Sequence, residues 1–99
     1  MINSLRIQSE YVKLYTEIRR YIWDFSTVEA LADLEVAVYK AFPSIEEVSS
    51  CFNKLRSEIR SVEKDDDELK SACDNFQKLI DEASETYLNI YQVDEVISL

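Results

Sequence analysis

Ninety-nine residues with 46% hydrophobic and 31% charged content suit one small domain with a core of its own rather than a disordered chain. The absence of Gly and His, with a single Pro, excludes Gly-rich phosphate loops, makes a meander of tight hairpins improbable, and removes the commonest general base and metal ligand. The net charge of −9 is uneven: residues 1–25 carry +1, residues 26–62 carry −2 and residues 63–99 carry −8, so binding to a phosphate backbone through the last third is disfavoured.

In chain order, the first element has apolar residues at Ile7, Tyr11, Leu14, Tyr15, Ile18, Ile22 and Phe25. These spacings of three and four trace one face of a helix, predicted over about residues 4–25. Near its end stands Arg19-Arg20-Tyr21-Ile22-Trp23. Ile22 belongs to the core stripe, whereas Tyr21 and Trp23 lie off it. Arg, Tyr and Trp are enriched at binding hot spots, which makes Arg19, Arg20 and Trp23 candidate contact residues. The structural alternative has Trp23 folded over the bundle end as a lid, with both arginines paired to acidic neighbours.

Ser26-Thr27-Val28-Glu29 has the form of a capping box, with Ser26 as N-cap. The helix it opens is predicted over about 27–42, with Leu31, Leu34, Val38, Ala41 and Phe42 as its stripe and Pro43 as its stop. Ser44-Ile45-Glu46-Glu47 repeats the capping pattern directly afterwards. Ile45, Val48, Phe52, Leu55, Ile59 and Val62 then form a narrow seam along a third helix, about 45–62. That seam suits packing inside a bundle, with a homodimer through it as the weaker use.

The run Glu63-Lys64-Asp65-Asp66-Asp67-Glu68 lacks the alternating ligands and the glycine of a calcium loop. It is expected to be a turn whose carboxylates cap the next helix. Leu69, Ala72, Cys73, Phe76, Leu79, Ile80, Ala83, Tyr87, Ile90 and Tyr91 carry that fourth helix over about 67–91. The tail 92–99 is apolar for so acidic a chain. Val93, Val96 and Ile97 have helical spacing, so the tail is a candidate extra turn, and Tyr87, Tyr91, Val93, Val96, Ile97 and Leu99 form a second candidate contact surface.

Four helices joined by short connections predict an all-α, antiparallel up-down-up-down four-helix bundle. Cys51 and Cys73 are expected as two reduced, buried thiols, since a disulfide framework normally uses more cysteines. No catalytic residues, cofactor or metal site are expected. The N-terminal MINSLRIQSEYVK lacks a signal-peptide pattern and no apolar run reaches membrane-spanning length, so a cytoplasmic protein is expected, a monomer rather than a homodimer.

Leu14-Tyr15-Thr16-Glu17-Ile18, the stretch from Leu34 to Phe42 (LEVAVYKAF), and Phe52-Asn53-Lys54-Leu55 resemble, in order and spacing over about residues 14–80, the enterocin A immunity family of bacteriocin immunity proteins, including its streptococcal pyogenecin-type members. The resemblance implies a cytoplasmic bundle that protects its producer from a pore-forming peptide, acting at the inner side of the mannose-type phosphotransferase permease that the bacteriocin captures. It also implies peripheral association with the membrane, and partner specificity in the C-terminal half. Members often carry a longer C-terminal extension than the one expected here. The competing expectation is an acidic inhibitor of a basic nucleic-acid-binding protein, such as an anti-defence factor or antitoxin, built on the charge of the last third.

Overall fold

The structure, a computed structural model, describes the backbone of residues 4–97 and the side chains of residues 4–85. Within it, four helices follow one another: α1 (Ser4–Tyr21), α2 (Phe25–Val38), α3 (Ile45–Glu63) and α4 (Asp67–Ile97). α1 packs on α2 and α4, and α3 packs on the same two, which is the neighbour pattern of an up-down-up-down bundle. The expected stripes build the core. Ile7, Leu14, Ile18, Leu31, Leu34, Val38, Phe52, Leu55, Ile59, Leu69 and Phe76 are fully buried, and the Phe52 and Phe76 rings stack with centroids 4.7 Å apart. Because Val48, Phe52, Leu55 and Ile59 of the α3 seam are covered by their own bundle, that seam is not a free surface for a second copy.

Helix ends differ from the sequence expectation at several places. α1 stops at Tyr21, not near residue 25, and α2 begins at Phe25 with Asp24, not Ser26, as its N-cap. The reason is Thr27, which is fully buried. Its backbone N–H donates to the Asp24 carboxylate at 3.1 Å and its hydroxyl donates to the same group at 3.0 Å, so Asp24 satisfies two polar groups of one residue. A buried hydroxyl left unpaired would cost about 1–3 kcal/mol, and a cap at Ser26 offers no such pairing. Phe25 consequently falls outside the core stripe and is exposed.

α2 ends at Val38, well short of the expected residue 42. Pro43 bars the helix only at and immediately before itself, so contacts made by Tyr39 and Lys40 end it earlier. Tyr39 closes the helix, its N–H donating to the Glu35 carbonyl at 3.0 Å, while its ring meets Tyr11 edge-on at 6.0 Å. Lys40 reaches over to Glu47 at 2.7 Å and draws the turn onto α3. Ala41 and Phe42, expected in the stripe, lie exposed in that turn.

The cap of α3 forms at Ser44, whose Oγ accepts from the Glu47 N–H at 3.4 Å. The reciprocal half is missing because the Glu47 carboxylate is taken by Lys40. Asp66 caps α4 by accepting from the Leu69 N–H at 3.0 Å, with Asp67 and Glu68 in the first turn, where negative charge complements the helix dipole. Beneath this turn, Arg56 joins α3 to α4: its guanidinium donates to buried Glu63 at 2.6 Å and to Asp74 at 2.8 Å.

α4 continues through Ile97, past residue 91 and into the tail that the spacing offers as a further helical turn. Arg6, near the start of α1, pairs with Glu82 at 3.7 Å. Arg56 pairs with Asp74, and counting eleven residues back to Ile45 and eleven forward along α4 places the start of α3 level with Glu85. The last twelve helical residues, 86–97, therefore run about 18 Å past the ends of both neighbouring helices. The 53 × 25 × 20 Å dimensions of the molecule reflect that length.

Candidate docking surface

α1 turns a row of residues outward beside its core stripe. Tyr15 and Arg19 each sit one position after a buried residue, Leu14 or Ile18, and so lie about 100° around the helix axis from the core, and Trp23 follows buried Ile22 in the turn just past the helix end. The Arg19 guanidinium lies over the Trp23 ring, 4.0 Å from its centroid, and 5.8 Å from the Tyr15 ring. Tyr15 is 6.1 Å from Tyr11, which in turn meets Tyr39. A line of rings and one guanidinium thus runs along the α1–α2 side of the bundle. Its inner anchor is Tyr11, whose hydroxyl donates to the buried Leu31 carbonyl at 3.0 Å. Burial, assisted by Glu35, opposes ionisation of that phenol and raises its pKa, so it remains a donor.

Arg20 turns the other way, toward α4, and bridges Glu17 at 3.8 Å and Glu68 at 3.5 Å. The expected pairing of the arginines with acidic neighbours is therefore seen for Arg20, whereas Arg19 stacks on aromatic rings. Trp23 is not a lid: its side chain is 68% exposed, held over Arg19 at the outside of the bundle end. Tyr21, 55% exposed, and Phe25, 81% exposed, flank it. Arg19, Arg20 and Trp23 are the residues that lie off the core period of the sequence, whereas that period includes Tyr15 and Phe25, both of which are exposed. The Asp24-x-x-Thr27 spacing was the available signal that Phe25 opens a helix instead of closing one.

The other predicted contact residues, Tyr87, Tyr91, Val93, Val96, Ile97 and Leu99, have side chains outside the described residues. Their backbone up to Ile97 belongs to the overhanging part of α4. In the sequence, steps of three and four from Ile80 and Ala83 lead to Tyr87, Ile90, Val93 and Ile97, so the apolar period of the core continues into the overhang.

A concavity for which the sequence carries no signal lies between α2 and α3. It is a half-open groove of about 350 Å³ lined by Ala30, Asp33, Val36, Glu47, Cys51 and Lys54, among others. Cys51 is half-buried there and Cys73 is fully buried in the core, both as free thiols. Desolvation raises both thiol pKa values. Nearby Glu47 and Asp33 add to the effect at Cys51, and Glu63 adds to it at Cys73, which is pushed up to about 12. Since only the thiolate reacts, native protein titrated at pH 8 with an aromatic disulfide should modify Cys51 slowly and Cys73 only after unfolding. Raising the pH toward 12 should accelerate both, and equal rates for the two thiols at pH 8 would contradict the burial of Cys73.

Among the described residues there is no group of three or more His, Cys, Asp or Glu able to hold a metal ion, and no helix is long and apolar enough to cross a membrane. What these observations define is an all-α four-helix bundle with an aromatic–arginine patch at one end and a long overhanging fourth helix. No family model matches the chain, and neither a curated protein nor a solved structure shows significant similarity to it.

Proposed function

We propose that the chain is a bacteriocin immunity protein, a binding module without chemistry of its own that protects its producer from a pore-forming class II bacteriocin. In this reading it acts at the cytoplasmic side of a receptor permease of the mannose phosphotransferase type, with bacteriocin bound. The observation that carries the proposal is the exposed Arg19–Trp23 stack on a helical bundle whose α1, α2 and α3 bear the sequence pieces of the enterocin A immunity family. An exposed Trp with an Arg stacked on it is a preorganised anchor, because the ring and the guanidinium each fix the other's rotamer before a partner arrives.

The competing reading, an acidic inhibitor that imitates nucleic acid, receives less support from the side-chain arrangement. The outer row of α4 alternates Asp67, Lys70, Asp74, Lys78, Asp81 and Glu85, so lysines interrupt the carboxylates. Asp74 is also engaged by Arg56, and Glu82 by Arg6. A phosphate backbone presents like charges at close, regular intervals, which this row does not reproduce.

Expression in a bacteriocin-sensitive streptococcal or enterococcal host is the test. Protection should raise the inhibitory dose of at least one class II bacteriocin by about tenfold or more, and Trp23→Ala should reduce that protection while leaving the helical fold intact. Unchanged sensitivity across a panel of related bacteriocins would overturn the proposal.

A further inference from the structure

Two turns meet at one end of the bundle. The α1–α2 turn presents Tyr21, Trp23 and Phe25, all exposed. The α3–α4 turn presents Asp65, Asp67 and Glu68, also exposed, with Lys64 in the turn and Arg60 and Lys70 on the helices either side of it. The ion pair from Arg20 to Glu68 at 3.5 Å fixes the two turns side by side. The cations of the aromatic turn are not offered outward: Arg19 lies on the Trp23 ring and Arg20 is held between Glu17 and Glu68. Glu63 and Asp66 are engaged by Arg56 and by the α4 cap. What faces solvent is an apolar aromatic ridge bordered by Asp65 and Asp67, the two exposed carboxylates of this turn that no ion pair engages.

We infer that this end of the bundle binds a cationic amphipathic helical segment of a partner protein, its apolar side on Tyr21, Trp23 and Phe25 and its lysines or arginines on Asp65 and Asp67. The charge pattern selects this occupant. A purely apolar partner would leave the Asp65 and Asp67 carboxylates without counter-charge, and a purely basic one would leave three aromatic side chains in water. An anionic bilayer suits interfacial aromatic residues and arginines, but the exposed carboxylates of the same end oppose it. A second copy of this chain brings the same negative charge to the contact. The inference deepens the immunity reading by giving the partner's chemistry, and it is tested by direct binding instead of by protection.

Trp23 is the only tryptophan in the chain, so the site carries its own reporter. The probe is a synthetic helix of roughly eighteen leucines and lysines arranged with one apolar face, compared with a scrambled peptide of the same composition that lacks that face. Titration with the amphipathic peptide should move Trp23 emission to shorter wavelength and reduce its quenching by acrylamide. Binding should weaken about tenfold between 50 mM and 500 mM salt, as surface charge pairs are screened. Measured by anisotropy of labelled peptide, the double variant Trp23→Ala/Phe25→Ala and the double variant Asp65→Asn/Asp67→Asn should each bind at least about tenfold more weakly, with unchanged circular dichroism. Equal binding of the scrambled peptide, no loss in either double variant, or an emission shift with anionic phospholipid vesicles but not with the peptide would each overturn the inference. Protection that fails while peptide binding and both variant effects hold would retire the immunity reading and leave this site standing. Protection that survives while peptide binding fails would move the partner contact away from this end.

Discussion

Truncating Phe52 to alanine is expected to cost about 3–5 kcal/mol of folding stability, the largest effect of any single substitution in the bundle. Among the described residues, Phe52 and Phe76 are the two largest fully buried side chains, and their rings stack across the contact between α3 and α4. Removing one ring takes away its transfer free energy, the aromatic pairing worth about 0.5–1.5 kcal/mol, and the support of the other ring, which then borders a cavity. Against a typical total of about 5–15 kcal/mol, this is a large fraction of the stability of so small a bundle. Urea unfolding followed by circular dichroism should show a lower midpoint with an unchanged slope. Phe42→Ala is the control: the same chemical change at an exposed position should alter stability by no more than about 0.5 kcal/mol. A loss below about 1 kcal/mol for Phe52→Ala would mean that the stacked pair does not organise the core as described.

The contrast between Phe52 and Phe42 also marks what could be read in advance. The α3 seam was legible because its spacing is regular from Val48 to Ile59 and because Ser44 and Pro43 punctuate its start. The order and pairing of four helices followed from such stripes alone. The helix ends did not. Ser26 and Asp24 are both good N-caps, and only the burial of Thr27, a tertiary fact, selects Asp24. Once that choice is made, Phe25 leaves the core stripe and becomes exposed. Tyr39 and Lys40 act likewise at the other end of α2: partners on α1 and α3 end the helix before proline requires it. Arg19, Arg20 and Trp23 stood out because they lie off the core period. That Arg19 stacks while Arg20 pairs could not be read from that period, since the difference depends on Glu68 lying beside α1.

Deleting residues 92–99 is expected to leave the bundle folded and to abolish most of the protection that the immunity reading assigns to it. The structural half of this expectation follows from the levels of the helices. α1 and α3 begin near the level of Glu82 to Glu85, so residues 92–97 lie more than a helical turn beyond both. A truncated chain should keep its near-ultraviolet signature and shift its melting midpoint by less than about 4 °C, which for a domain of this size corresponds to under about 1 kcal/mol. Far-ultraviolet ellipticity should fall only by the share of the helical residues removed. The functional half follows from the sequence of that segment, where Val93, Val96 and Ile97 keep helical spacing on a chain otherwise rich in charge. Because the aromatic end at Trp23 and this overhang lie at opposite ends of the bundle, their losses should be independent. The truncation should leave Trp23 emission and peptide capture untouched, and Trp23→Ala should leave the helical content of α4 untouched. A truncation that unfolds the bundle would make the segment part of the core, and one that retains full protection would remove it from partner recognition.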